Sequence, residues 1–231
     1  CVGALLSPST GIIDSHGLML ALQGEAEANG ATTALSTRVE LIECRSDGSF
    51  RLAIGGGEWV SCGHLVIAAG LHGSALAATL EYPAGYSPPA TTYARGHYYA
   101  LKGRSPFQRL VYPMPDGAWL GIHVTLDLAG RAKFGPDIEW IDAIDYSFNA
   151  ANEPKFYGSI RRYWPGLPDG ALQADTTGIR PKIYRQGEPV PDFAIHGPEQ
   201  HGLNGLVMLF GIESPGLTAS LAIGETVAAM T

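Results

Sequence analysis

One stretch near the C-terminus limits the folds open to this chain: Gly205-Leu206-Val207-Met208-Leu209-Phe210-Gly211-Ile212-Glu213-Ser214-Pro215-Gly216-Leu217-Thr218-Ala219-Ser220-Leu221-Ala222-Ile223-Gly224. The five apolar residues from Leu206 to Phe210 read as a buried strand. A glycine-bracketed turn follows, and then a helix of small residues over about 217–229. A strand, a glycine-rich turn and a helix start together form a cradle for an anion or cofactor, because the first N–H groups of a helix have no partner within it. Glycine lets such a ligand come close to the backbone. The same pattern also serves as an ordinary strand–turn–helix connection.

Composition narrows the classes. A chain of 231 residues can hold one large domain or two small ones. With 45% hydrophobic and 16% charged residues it is globular rather than disordered. Thirty glycines and sixteen prolines imply many tight turns. A net charge of −7 argues against a nucleic-acid partner, which needs a basic face. No apolar run approaches the roughly 20 residues that span a bilayer, and the first residues lack the pattern of a secretory leader. Cys1, Cys44 and Cys62 are widely spaced, without a C-x-x-C pair. That suits reduced thiols and no metal site, so the expected compartment is cytoplasmic, with a peripheral membrane position as the variant. The chain opens on Cys1 without an initiator methionine, which reads as the interior of a longer protein.

Local patterns place the elements. Asp14 or Ser15 can cap a helix over 16–29, with Leu18, Leu22 and Ala26 on one face and Gly30 as its stop. Strands are expected at 31–33 and 38–43, and a hairpin at 49–54 and 59–62 across Gly55-Gly56-Gly57. Residues 64–69 are nearly all apolar and read as a strand buried on both faces. A short helix is expected at 74–80 and a loop at 83–89. Residues 98–101, 109–112 and 119–125 look like a tyrosine-rich antiparallel sheet. Helices are expected at 138–144 and 153–163, and an extended segment at 174–184. This order predicts a mixed α/β (α+β) fold with an inserted antiparallel sheet.

Several motifs are missing. There is no P-loop and no H-E-x-x-H, and Ile212-Glu213-Ser214-Pro215-Gly216 lacks the first glycine of a hydrolase elbow. There is no G-x-G-x-x-G; Gly55-Gly56-Gly57 begins like one, but Val60 occupies the last position.

Five segments carry a family resemblance. They are Ser9-Thr10-Gly11-Ile12-Ile13-Asp14, Leu65-Val66-Ile67-Ala68-Ala69-Gly70-Leu71, Val111-Tyr112-Pro113-Met114-Pro115 with Leu120-Gly121-Ile122-His123-Val124-Thr125, Gly178-Ile179-Arg180-Pro181, and Gly211-Ile212-Glu213-Ser214-Pro215-Gly216-Leu217-Thr218. In order and type they resemble FAD-dependent oxidoreductases of the D-amino-acid oxidase and glycine oxidase superfamily, most closely its L-2-hydroxyglutarate dehydrogenase-like branch. Such enzymes begin with a βαβ unit whose G-x-G-x-x-G holds the FAD pyrophosphate, and that unit is not in this sequence. The resemblance implies a partial FAD-binding domain at 1–90 and 170–231, and a substrate-binding sheet with helices at 91–169.

It also implies roles. Val39 would lie on the strand that meets the adenine, and Ala69 and Gly70 would close the strand beneath the pyrophosphate. Gly211, Ile212, Glu213, Ser214, Pro215, Gly216, Leu217 and Thr218 would follow the isoalloxazine and ribityl chain. Arg180 would fork onto a substrate carboxylate, a task suited to a planar guanidinium; the competing reading is a surface arginine paired with an acid. Lys182 would share its strand face. Tyr98, Tyr99 and Tyr112 are candidates for the pocket wall, although adjacent Tyr98 and Tyr99 point to opposite faces. A base for a substrate hydroxyl is expected at His123, or else at His16. The expected activity is FAD-dependent oxidation of a small 2-hydroxy acid, a small-molecule carboxylate. The alternatives are an amino-acid or glycerol-3-phosphate oxidase, or a non-catalytic domain without flavin. No residue pattern singles out an electron acceptor.

Overall fold

The computed structural model describes residues 3–83, 85–114 and 121–231. The expected contributions of Cys1, Pro115, Trp119 and Leu120 lie outside the described residues.

Helix α1 (Ser15–Ala28) starts where Asp14 accepts a hydrogen bond from the Gly17 N–H at 3.0 Å. Strands β1 (Val39–Cys44), β2 (Phe50–Ile54) and β3 (Glu58–Cys62) form an antiparallel meander. Strand β4 (Leu65–Ile67) leads through a 3₁₀ turn into α2 (Gly73–Ala77). Next come β5 (Thr92–Leu101), β6 (His123–Leu126), β7 (Ala132–Gly135), β8 (Glu139–Ile141) and helix α3 (Glu153–Arg161). Strands β9 (Leu172–Lys182) and β10 (Ala194–His196), helix α4 (Pro198–His201), strand β11 (Leu206–Phe210) and helix α5 (Gly216–Ala228) complete the order. The fold is mixed α/β, with a five-stranded sheet in the order β6-β7-β5-β8 and β9 paired to β5.

Two compact units are present. One comprises Cys1–Leu35, Arg95–Glu139 and Asp145–Gly178; the other comprises Ser36–Ala94, Trp140–Ile144 and Ile179–Thr231. In the first, Tyr99, Val124, Phe134, Phe156 and Ile160 form the core. In the second, β11 is buried along its whole length between β10 (antiparallel) and β4 (parallel), with Met208 opposite Ile67. Its core joins β11 to Ile42, Phe50, Ala77 and Leu80. The apolar run that reads as a buried strand in the sequence is the centre of this unit.

Several expectations need correction. Within 138–144 no helix forms; Glu139–Ile141 is strand β8 and the rest is irregular. Asp137 and Glu139 alternate with apolar neighbours, and both turn toward Arg95 and His97 of β5, so the period of two prevails. Residues 31–33 have no regular structure, and 109–112 contribute only an isolated bridge, Val111 to Val124. Strand β4 is shorter than expected and is not buried on both faces: it is an edge strand, and Val66 is exposed. Helix α1 buries none of its residues, so Leu18, Leu22 and Ala26 do not form a core face. Residues 1–35 group with 95–139 and 145–178 in the first unit. There the 5–15 segment meets Gln108, Tyr112 and residues 126–131 across two surface clefts.

Candidate active site

Within the first unit, the antiparallel bridge between Val111 and Val124 sets Tyr112 opposite His123. The two rings stack, with centroids 4.3 Å apart and planes 10° from parallel. His123 is buried, whereas Tyr112 is exposed and lines a cleft of about 580 Å³ with Ser7, Thr10 and Gly11. Two expected site residues and the Ser9-Thr10-Gly11 segment therefore share one neighbourhood. His16 lies on the exposed first turn of α1.

The adjacent tyrosines of β5 do face opposite ways. Tyr99 is buried against Phe148 and Phe156, and burial pushes its hydroxyl pKa up. It is a core residue. Tyr98 is half-buried, and its ring lies against Gly135, where a Cβ would come within 2.9 Å of it.

A polar network that joins Arg95 and His97 of β5 to Asp137, Glu139 and Asp145 is absent from the expected site residues. Asp137 accepts from both the backbone N–H and Nδ1 of His97 at 2.8 Å, and from Asn152 at 3.1 Å. Arg95 reaches Glu139 at 3.2 Å and Asp145 at 2.9 Å. Its signal in the sequence is the i, i+2 spacing of Arg95 with His97 and of Asp137 with Glu139, two charged pairs on strand faces.

Within the second unit, Arg180 and Lys182 share a face of β9, as their spacing requires. Both meet the carboxylate of Glu213: Lys182 Nζ donates to Oε1 at 2.5 Å and Arg180 Nη1 to Oε2 at 3.2 Å. Lys182 also lies over the Tyr184 ring, 5.2 Å from its centroid. The side chain of Glu213 thus faces the cationic strand, while its carbonyl accepts from Gly216 N–H in the turn.

Two clefts flank the turn after β4. One, of about 730 Å³, is lined by Val39, Ala69, His72, Leu76 and Thr79 among others. The second, of about 230 Å³, is lined by Ala68, Gly70, Leu209, Gly211 and Ile212. Val39, Ala69, Gly70, Gly211 and Ile212, far apart in the chain, therefore border consecutive clefts. Gly70 adopts φ +52°, and a Cβ there would meet nothing within 4 Å, so this backbone faces open space. Helix α5 starts at Gly216 without a side-chain cap; the Gly216 N–H goes to the Glu213 carbonyl, and an external acceptor would address the N–H groups that follow it. Ser214, Pro215, Leu217 and Thr218 lie in this turn and first helical residues.

Residues 1–230 match the family model described as FAD dependent oxidoreductase (DAO). The chain belongs to this family. An L-2-hydroxyglutarate dehydrogenase, mitochondrial, from Arabidopsis thaliana is 41% identical to this family member, over 99% of the chain and 56% of the relative. A glycerol 3-phosphate dehydrogenase from Caloramator mitchellensis is 29% identical, over 96% of the chain and 44% of the relative. The chain thus spans about half the length of the curated relatives it matches. Its fold is shared with the dithionite-reduced L-alpha-glycerophosphate oxidase from Mycoplasma pneumoniae, solved with FAD bound (TM-score 0.76, 21% identity, 90% of this chain and 53% of that one). It is shared also with glycine oxidase from Geobacillus kaustophilus (TM-score 0.69, 24% identity, 92% and 52%).

FAD is the cofactor of this oxidoreductase family. The two clefts, the side-chain-free backbone at Gly70 and the uncapped start of α5 are features that a dinucleotide can use. Among the described residues, no helix is long and apolar enough to cross a membrane, and no group of three or more His, Cys, Asp or Glu is placed to hold a metal.

Proposed function

We propose that this chain belongs to an FAD-dependent dehydrogenase that oxidises a small 2-hydroxy acid of the L-2-hydroxyglutarate type to the 2-oxo acid. The observation that carries the reading is the 41% identity to an L-2-hydroxyglutarate dehydrogenase along 99% of the chain. Arg180 is paired with an acid, Glu213, through one nitrogen at 3.2 Å, as the competing reading has it; the rest of its fork is what this reading assigns to a carboxylate.

FAD, when bound, supplies the hydride acceptor. Val39, Ala69 and Gly70 would line its adenine and pyrophosphate end, and the backbone of 211–218 its flavin end. Arg180 would hold the substrate carboxylate, supported by Lys182. His123 would take the proton of the substrate hydroxyl, with Tyr112 fixing the plane of its ring and lining the adjoining cleft. Tyr98 is assigned to the pocket wall, and His16, exposed on α1, is the second choice of base. The partial FAD-binding domain is assigned chiefly to the second unit and the substrate-binding sheet to the first.

Anaerobic reduction tests this reading. In the flavin-loaded protein, L-2-hydroxyglutarate should bleach the flavin absorbance, while glycine and glycerol 3-phosphate leave it. Bleaching by either of those compounds and not by the hydroxy acid would replace the proposed activity. Failure of the chain to retain any flavin after mixing would favour a domain without catalysis of its own.

A further inference from the structure

We propose that Glu213 sets the anion selectivity of the Arg180 site, holding it to a singly charged carboxylate group and rejecting a doubly charged phosphate group. The inference rests on Arg180 being the substrate anchor. The shared fold does not decide between these anions, because it also serves a glycerophosphate oxidase. The charges around Arg180 do decide.

Both oxygens of Glu213 are committed, one to Lys182 and one to Arg180. The three side chains grade outward: Lys182 is 3% exposed, Glu213 13% and Arg180 29%. An arriving anion therefore meets Arg180 first, with the Glu213 carboxylate directly behind the guanidinium. Only Nη1 of that guanidinium has a partner among the described residues. The cluster carries two positive charges and one negative, a sum of +1. A monoanionic carboxylate brings the sum to zero. A phosphate dianion leaves a surplus negative charge in a partly buried site and is repelled by Glu213 at short range. Glu213 is thus a specificity residue that acts through Arg180 and Lys182.

The test uses the 231-residue chain and NMR titration of the backbone amides of Arg180, Lys182 and Glu213 with lactate and with inorganic phosphate, at alkaline pH where phosphate is a dianion. Wild type should prefer lactate. Glu213→Gln raises the sum to +2 and should shift the ratio of the two Kd values toward phosphate by roughly tenfold or more. The double variant Lys182→Met/Glu213→Gln returns the sum to +1 and should restore the preference, which a merely structural role of Glu213 would not do. An unchanged ratio in Glu213→Gln, or a shift that persists in the double variant, overturns the proposal. If Glu213→Gln fails to fold, Lys182→Met gives the test: with the sum at zero, phosphate binding should fall further than lactate binding, and an equal fall overturns the idea. Arg180→Ala should weaken both anions. If it weakens neither, or if neither anion binds wild type, the anchor reading itself fails, a result separate from a failure of Glu213 alone.

Discussion

The imidazole of His123 lies flat on the ring of Tyr112, at 4.3 Å and 10°. This pair exists because one isolated bridge, Val111 to Val124, aligns two segments that lack a continuous ladder. The stack uses the face of the tyrosine, so Tyr112→Phe should leave kcat and KM nearly unchanged in the flavin-loaded protein. His123→Asn should lower kcat by about 10²- to 10⁴-fold, the range for a removed general base. Steady-state kinetics with L-2-hydroxyglutarate would check both, and a large loss in Tyr112→Phe would move the role to the hydroxyl.

Gly70 offers a way to separate cofactor binding from folding. A Cβ there meets nothing within 4 Å, and asparagine is the non-glycine residue that best tolerates the left-handed φ of +52°. Gly70→Asn should therefore fold while placing a side chain in the cleft beside Gly211. The expected outcome is a thermal transition close to wild type and loss of retained flavin absorbance after mixing with FAD. Full flavin retention would remove this cleft from the cofactor site.

Asp137 and His97 have fully buried side chains and are joined at 2.8 Å. Truncating one member of such a pair leaves the other polar group without compensation. Asp137→Ala should cost about 3–5 kcal/mol in chemical denaturation. Asp137→Asn keeps the shape and one acceptor and should cost less. A cost under about 1 kcal/mol for the alanine variant would show that the network is not a structural anchor of the sheet.

Acid sensitivity is expected from His196 and His201. Burial holds both below the ordinary histidine value of 6.5; for His201, nearby backbone acceptors oppose that shift in part. The unfolded chain therefore binds more protons than the folded chain just below pH 6.5, so stability should fall as pH drops through that region. The slope is at most about 1.4 kcal/mol per pH unit for each histidine. Urea unfolding at a series of pH values should show it, and His201→Gln should flatten it. An unaltered slope would assign the acid sensitivity elsewhere.

Local sequence determined the elements whose signals are contiguous. The run from Leu206 to Phe210 has enough apolar side chains to demand burial on both faces, and it became the central strand. Asp14 could cap a helix with its own side chain, and α1 begins there. The spacing of Arg180 and Lys182 by two residues places both on one strand face whatever their partner. These outcomes depend on backbone geometry and side chains a few residues apart.

Tertiary structure decided what depends on distant partners. Residues 138–144 carry a helix-like local pattern, yet ion pairing across to Arg95, 44 residues from Glu139, made 139–141 a strand. The stack of Tyr112 on His123 needs a bridge between two segments. Glu213 sits in a turn that reads as a cofactor cradle, but its carboxylate is claimed by Lys182, 31 residues earlier in the chain. Charge pairing and strand register are long-range: their energy is realised only when the chain closes the intervening loop, and no local window contains both partners.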